Sequence, residues 1–87
     1  MYLKILQWNL NGYNNNLHEL QLLIKSHSPD IIALQETHLH SDNIKLGNYS
    51  HKVFNTFSTG YAKGGVALLI KNSIEHTFFH NNLIYAV

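Results

Sequence analysis

With 87 residues, 45% of them hydrophobic and 13% charged, the chain is long enough for one small domain and too apolar to be a disordered segment. Its net charge is only +1 and its basic residues are all lysines, which excludes nucleic-acid binding driven by electrostatic attraction alone. The absence of cysteine excludes disulfides, thiolate zinc sites and cysteine nucleophiles.

The sequence has no apolar stretch long enough to span a membrane and no signal segment at its start. We therefore expect an intracellular protein that does not use a membrane. Composition does not identify the compartment.

The first third of the chain predicts a strand followed by a helix. Residues 2–8 are mostly apolar and lead into an asparagine-rich turn, which is typical of a strand that ends in a loop. Asn16 and Glu19 have the spacing of a capping box and predict that a helix begins there and runs to about His27. The apolar residues at helical spacing in this segment are Leu17, Leu20, Leu23 and Ile24.

A second strand is predicted just after this helix. Pro29 cannot continue the helix and biases Ser28 toward an extended conformation, and residues 31–34 form an apolar run that leads to Glu36. A strand, a helix and a strand within about 35 residues predict a parallel βαβ unit. Because parallel strands end at the same rim of a sheet, Asn9 and Glu36, each predicted one step beyond a strand, should meet there.

The second half of the chain predicts antiparallel strands. The pattern is weak over residues 39–61, with a possible strand at 51–54, and a Gly64-Gly65 pair then introduces a buried strand. Three strands, at residues 66–70, about 75–79 and 83–87, should form an antiparallel meander. Because the chain ends inside an apolar strand, we expect a domain truncated at its C-terminal end.

Glu36 is the carboxylate with the strongest claim to a function. An unpaired buried charge costs several kcal/mol, so a carboxylate at the mouth of a buried strand is usually satisfied by a metal, a cation or hydrogen bonds. Open α/β folds also bind their ligands just beyond the carboxyl ends of strands. The alternative is an ordinary carboxylate that caps the strand end.

Two motifs and the segment between them identify a family. Residues 7–12 and 34–37, separated by the predicted helix and followed by the glycine-led strand at 64–70, resemble the endonuclease/exonuclease/phosphatase superfamily. The similarity covers essentially the whole chain. It is greatest to the endonuclease domain of non-LTR retrotransposons of the LINE or Jockey type.

The resemblance implies an α/β fold, the α+β sandwich of DNase I-like proteins, in which two sheets pack face to face with helices outside. Residues 1–87 would be the N-terminal part of this domain, with a mostly antiparallel sheet, one main helix and a parallel βαβ start. One apolar sheet face should then be exposed, and the chain could associate with itself through that face.

The resemblance also implies a Mg²⁺-dependent phosphodiesterase that nicks DNA. Glu36 matches the carboxylate that holds the metal, which is Mg²⁺ or alternatively Mn²⁺. Asn9 matches the active-site asparagine, whose amide can donate to a phosphate oxygen or hold a catalytic carboxylate. A turn-forming asparagine is the other interpretation of Asn9.

Four neighbouring residues would support this site. Asn11 stands where several abasic-site enzymes have aspartate, so it would orient a metal-bound water or shape the turn. Gly12 would supply a positive φ in the loop. Gln35 and Thr37 flank the metal carboxylate and could hydrogen-bond to the groups around the metal.

The family's Asp-x-Asn motif, active-site tyrosine region and terminal Ser-Asp-His all lie beyond Val87. We therefore expect residues 1–87 to be catalytically inactive on their own. DNA and a reverse transcriptase domain of a longer parent are the implied partners, and the nucleus is the implied compartment. The alternatives are a non-catalytic remnant or gene fragment, or a phosphatase or lipid phosphodiesterase of the same superfamily.

His38 and His40 lack a third ligand at defined spacing. We therefore expect them to be exposed loop histidines rather than ligands of a zinc site.

Overall fold

The computed structural model describes residues 2–39, 44–54, 64–78 and 84–86, with side chains as far as Glu75. One helix and six strands lie in these ranges. They are β1 (Ile5–Asn9), α1 (Tyr13–His27), β2 (Ile31–Gln35), β3 (Tyr49–Phe54), β4 (Val66–Lys71), β5 (His76–Phe78) and β6 (Ile84–Ala86). The first four strands form one sheet in the order β1-β2-β4-β3, and β5 pairs with β6 in a second sheet.

The main sheet contains one parallel pair and two antiparallel pairs. Strands β1 and β2 run parallel, while β4 is antiparallel to both β2 and β3. The predicted parallel βαβ start and the mostly antiparallel sheet are therefore confirmed. The predicted meander is wrong, because β4 pairs with β2 and β3 whereas β5 pairs with β6. An apolar run such as β4 favours a central position, where neighbours cover both of its edges.

Several strand ends differ from the predictions. Strand β1 begins at Ile5 rather than at residue 2, and it includes Asn9, which is predicted to stand one step beyond the strand. Lys4 instead accepts hydrogen bonds through its carbonyl from the N–H groups of Asp30 and Ile31, at 2.7 and 3.2 Å. Strand β3 begins at Tyr49, two residues before the predicted strand. The outer ends predicted for the last two strands lie outside the described residues.

Helix α1 begins three residues earlier than predicted, and the predicted capping box is wrong. The N-cap residue is Gly12, and no side chain caps this end of the helix. The Asn16 side chain donates instead to the carbonyls of Leu10 and Gly12, at 2.7 and 3.3 Å. Tertiary contact explains the early start, because the Tyr13 N–H is already held by the Thr37 carbonyl at 2.8 Å. Asn14 and Asn15 are weak helix formers, so the sequence did not predict that the helix begins before them.

The predicted extended conformation of Ser28 is also wrong. Ser28 is left-handed, with φ 46°, and its N–H donates to the Ile24 carbonyl at 2.8 Å. This hydrogen bond satisfies a helix carbonyl that would otherwise lack a partner, and it outweighs the bias that Pro29 imposes. No helix in the described part of the chain is long and apolar enough to cross a membrane.

The core lies between α1 and one face of the sheet. Leu20 of the helix and Ile32, Leu34 and Leu69 of the sheet are fully buried. The other core residues are Leu10, Tyr13, Leu39, Ile44 and Ala67, and Trp8 packs against them. Strand residues at alternate positions therefore face the helix, and their neighbours face the opposite side.

The opposite face of the main sheet is apolar along much of its length. Ile5 is 60% exposed and Val66 is 41% exposed, whereas Ile70 is buried. The register places Ile5 beside Ile31 and Ile31 beside Ile70. This face is therefore exposed at Ile5 and Val66 and buried at Ile70.

Asp30 connects three elements at the amino-terminal rim of β2. Its carboxylate accepts a hydrogen bond from the Lys4 N–H at 2.8 Å and lies 3.5 Å from the Lys71 ammonium group. Its carbonyl accepts from the Lys71 N–H at 2.9 Å. The Lys4 hydrogen bond, followed by the charge of Lys71, lowers the pKa of the Asp30 carboxyl below its ordinary 3.8.

We expect this junction to make the fold sensitive to acid. A carboxyl whose pKa is lower in the folded state stabilises that state above its unfolded pKa, and this contribution is lost as the pH falls below about 4. The Asp30→Asn variant should therefore lose less stability than the parent chain between pH 5 and pH 2. Urea denaturation at several pH values measures both curves. If the free energy of unfolding falls equally with pH in both chains, the Asp30 charge does not stabilise the fold.

Candidate active site at the carboxyl ends of the first two strands

Asn9 and Glu36 lie at one rim of the sheet. Asn9 is the last residue of β1 and pairs in register with Gln35, the last residue of β2, and Glu36 follows directly. Both Asn9 and Glu36 are exposed. The parallel pair therefore brings together the two residues for which the sequence predicts a catalytic role.

The backbone of Glu36 is unusual. Glu36 has φ 51°, a left-handed conformation, and His38 two residues later has φ 53°. Such a conformation costs a residue other than glycine about 1–3 kcal/mol, and it persists only where surrounding structure enforces it. Strained backbone of this kind concentrates at functional sites.

The loop after β1 holds one side of this segment. The Leu10 N–H donates to the Gln35 carbonyl, and the Gly12 N–H donates to the Glu36 carbonyl, each at 2.8 Å. The Tyr13 N–H continues the series, as described above. Hydrogen bonds between the two chain segments thus extend beyond the parallel strand pair.

Two glycine carbonyls hold the other side. The Thr37 N–H donates to the Gly65 carbonyl at 3.2 Å, and the His38 N–H donates to the Gly64 carbonyl at 2.8 Å. Gly64 has φ 74° and Gly65 has φ 91°. These angles favour glycine, because a Cβ disfavours the left-handed region. The backbone of residues 36–38 is therefore held from both sides.

The loop residues Asn11 and Gly12 have the geometry of a tight turn. Asn11 is exposed with φ 49°, a value that asparagine tolerates better than most residues. Gly12 has φ 108°, and a Cβ there would lie 3.3 Å from the Asn15 side-chain nitrogen. Both features suit a loop that turns sharply from β1 into α1.

Gln35 and Thr37 differ in their surroundings. The Gln7 side-chain amide donates to the Gln35 side-chain oxygen on the sheet face opposite the helix. Thr37 is fully buried, and its hydroxyl oxygen has no hydrogen-bond partner within the described ranges. A buried hydroxyl without a partner costs about 1–3 kcal/mol. The hydrogen bonds predicted from Gln35 and Thr37 to groups around a metal stay predictions.

The residues present can supply one carboxylate to a metal. The described residues contain no group of three or more His, Asp or Glu side chains that could hold an ion, and no ion pair of Glu36 is found among them. Mg²⁺ binds through one or two carboxylates and otherwise keeps waters and substrate phosphates, so an exposed, unpaired Glu36 fits such an ion. His38 is half-buried rather than exposed as predicted, and His40 lies outside the described ranges.

The sequence did not predict that three further residues supply backbone hydrogen-bonding groups at this rim. Tyr13 supplies an N–H, and Gly64 and Gly65 supply carbonyls. The glycine pair before an apolar strand was a usable signal, since it indicates an unusual backbone. The Tyr13 side chain belongs to the core, and burial raises the pKa of its phenol above its ordinary 10.0.

Comparison with curated proteins finds relatives among transposable elements. The chain is 40% identical over 77 residues to a probable RNA-directed DNA polymerase from transposon X-element of Drosophila melanogaster. It is 30% identical over 77 residues to the RNA-directed DNA polymerase from mobile element jockey of Drosophila funebris. These alignments cover 87% and 86% of this chain and 8% of each relative.

Solved structures with the same fold are nucleases and phosphatases. A 3′ phosphatase from Neisseria, solved with a product DNA hairpin, is 25% identical, with a TM-score of 0.65 over 88% of this chain and 32% of that one. An AP endonuclease from Archaeoglobus fulgidus shares the fold at 24% identity, with a TM-score of 0.67 over 98% of this chain and 37% of that one.

The family comparison covers nearly the whole chain. Residues 6–86 match the Endonuclease/Exonuclease/phosphatase family, a range that includes Asn9, Glu36 and the Gly64-Gly65 pair. The chain therefore belongs to the endonuclease/exonuclease/phosphatase family, and its mixed sheet and single described helix form an α/β fold of the DNase I-like type.

Proposed function

We propose that the chain is part of a Mg²⁺-dependent endonuclease that nicks DNA, encoded by a retrotransposon, and that it is inactive alone. The observation that carries this proposal is the exposed carboxylate of Glu36, held in a left-handed backbone beside Asn9. The transposon relatives favour DNA as the substrate.

Each residue has a distinct role in this proposal. Glu36 would hold the metal, and the Asn9 amide would donate to a phosphate oxygen or hold a catalytic carboxylate. When bound, Mg²⁺ stabilises negative charge that develops on the phosphodiester. Asn11 and Gly12 would shape the loop, and Gln35 and Thr37 would hydrogen-bond around the site.

The proposed inactivity follows from the missing general base. Hydrolysis needs a group that takes a proton from the attacking water, and such a group typically contributes about 10²–10⁴-fold in rate. The 87 residues contain neither an Asp-x-Asn nor a Ser-Asp-His segment. We therefore propose that they form the N-terminal part of a longer domain.

A chimera tests the proposal directly. In this chimera, the chain replaces the 77 matching residues of the X-element protein. The chimera, the unmodified X-element protein and the 87-residue chain are each incubated with supercoiled plasmid and Mg²⁺. We expect nicking by the chimera, none by the chain, and none in EDTA. If the chimera folds but does not nick the plasmid while the unmodified X-element protein does, the chain would be a non-catalytic remnant.

A phosphatase is the second candidate, because a structural neighbour is a 3′ phosphatase. The same chimera can be offered a DNA hairpin with a 3′ phosphate. Release of phosphate without plasmid nicking would favour this candidate. A lipid phosphodiesterase would instead hydrolyse a phosphodiester in lipid vesicles.

The proposed partners are DNA and a reverse transcriptase domain in the same polypeptide, consistent with the transposon relatives.

Self-association through the apolar sheet face is a further prediction. We expect the sedimentation coefficient of the chain to rise with concentration, and Ile5→Lys to weaken this rise because Ile5 is exposed on that face. The control is Leu3→Lys, which makes the same change at an exposed position outside the strands. Equal association of both variants would exclude this face.

A further inference from the structure

We infer that four backbone groups hold the Glu36 carboxylate in its working position, so that Gly64 and Gly65 are positioning residues for the metal ligand. The groups are the N–H of Gly12, the N–H of Tyr13 and the carbonyls of Gly64 and Gly65, and together they form the rim clamp. This inference rests on the proposed function.

Glu36 does not adopt its backbone conformation by intrinsic preference. Glutamate rarely takes φ 51°, because this left-handed backbone conformation costs free energy for a residue other than glycine or asparagine. Glu36 is exposed, so core packing of its side chain does not enforce the angle. The enforcing contacts must therefore be those of the backbone on either side.

The rim clamp supplies these contacts. Its two N–H groups hold the carbonyls of Glu36 and Thr37, and its two carbonyls hold the N–H groups of Thr37 and His38. Thr37 is thus bound on both sides, and its side chain is fully buried. Because Thr37 is held in this way, the backbone of Glu36, which precedes it, is restrained, while the Glu36 side chain is exposed at the rim.

The rim clamp needs glycine at the two positions that supply its carbonyls. Gly64 and Gly65 present their carbonyls from φ 74° and 91°, and a β-branched residue would leave this region of backbone space. Such a residue should release the Thr37 and His38 N–H groups. Loss of a group that orients a metal ligand typically weakens metal binding about 10–100-fold.

Nuclear magnetic resonance of the 87-residue chain tests the inference. The three-bond HN–Hα coupling reports the φ of Glu36, and hydrogen exchange reports the Thr37 and His38 N–H groups. Added Mn²⁺ broadens nearby amide signals, so its midpoint measures affinity at the site. In Gly64→Val we expect a changed Glu36 coupling, faster exchange and a midpoint at least about tenfold higher.

Two variants provide matched comparisons. Gly64→Asn should retain more of the parent behaviour, because asparagine tolerates positive φ. Gly47→Ala should change nothing, since Gly47 has no positive φ and a Cβ there would meet no atom within 4 Å. Thermal unfolding is recorded for each variant. A structural role alone would lower the unfolding midpoint and leave the Mn²⁺ midpoint of the folded protein unchanged.

The outcomes separate this inference from the proposed function. An unchanged Glu36 coupling in folded Gly64→Val overturns the inference, and if that variant unfolds, Gly65→Ala is judged by the same criterion. If Mn²⁺ does not broaden signals near Glu36 in the parent chain, the proposed metal role fails. The coupling and exchange data then still decide whether the clamp fixes Glu36.

Discussion

The Glu36→Ala chimera is expected to nick supercoiled plasmid at least about 100-fold more slowly than the unsubstituted chimera. Metal stabilisation of the transition state is worth several kcal/mol, and each step of about 1.4 kcal/mol corresponds to tenfold in rate. The fold should tolerate the change. Glu36 is exposed, and alanine is no worse suited than glutamate to φ 51°. The initial rate of conversion to nicked circles, measured in Mg²⁺, gives the ratio.

Two further variants identify the cause of the loss. Glu36→Gln keeps the size of the side chain and removes its charge, so a similar loss would indicate that the charge is needed. Glu19→Ala removes an exposed carboxylate from α1 and should change the rate less than about threefold. Full activity of Glu36→Ala would contradict the assignment of Glu36 as the metal ligand.

Much of the fold was predictable because local patterns and packing agree. The apolar run at residues 31–34 and the run after Gly65 became the two central strands, β2 and β4. The parallel pairing of β1 and β2 followed from the intervening helix. The order β1-β2-β4-β3 was not predictable from periodicity, since several pairings bury an apolar strand such as β4 equally well.

The position of the candidate residues at one rim was predictable, whereas the backbone geometry there was not. The βαβ order indicated that Asn9 and Glu36 would share a rim. The left-handed backbone of Glu36 left no trace in the sequence, because glutamate has no preference for positive φ. The start of α1 was missed for a related reason: its first N–H groups are bound by the Glu36 and Thr37 carbonyls, which are distant in sequence.

Replacing Leu34 by alanine should remove much of the stability of the fold. Leu34 is fully buried in β2, pairs in register with Trp8 and Ala67, and belongs to the core between the sheet and α1. A buried leucine replaced by alanine typically costs about 2–5 kcal/mol, because contacts are lost and a cavity remains. Small domains have only about 0.05–0.15 kcal/mol of stability per residue, so this cost is a large share of the total.

Leu22 provides the matched control for this prediction. It lies on α1, is 51% exposed and stands outside the core, so Leu22→Ala removes the same atoms from a surface position. Alanine is also the strongest helix former, and the change should stay within about 0.5 kcal/mol. Urea denaturation followed by circular dichroism compares the two variants. Equal losses at Leu34 and Leu22 would mean that the face of the sheet toward α1 is not the core, and the assignment of the two sheet faces would have to be reversed.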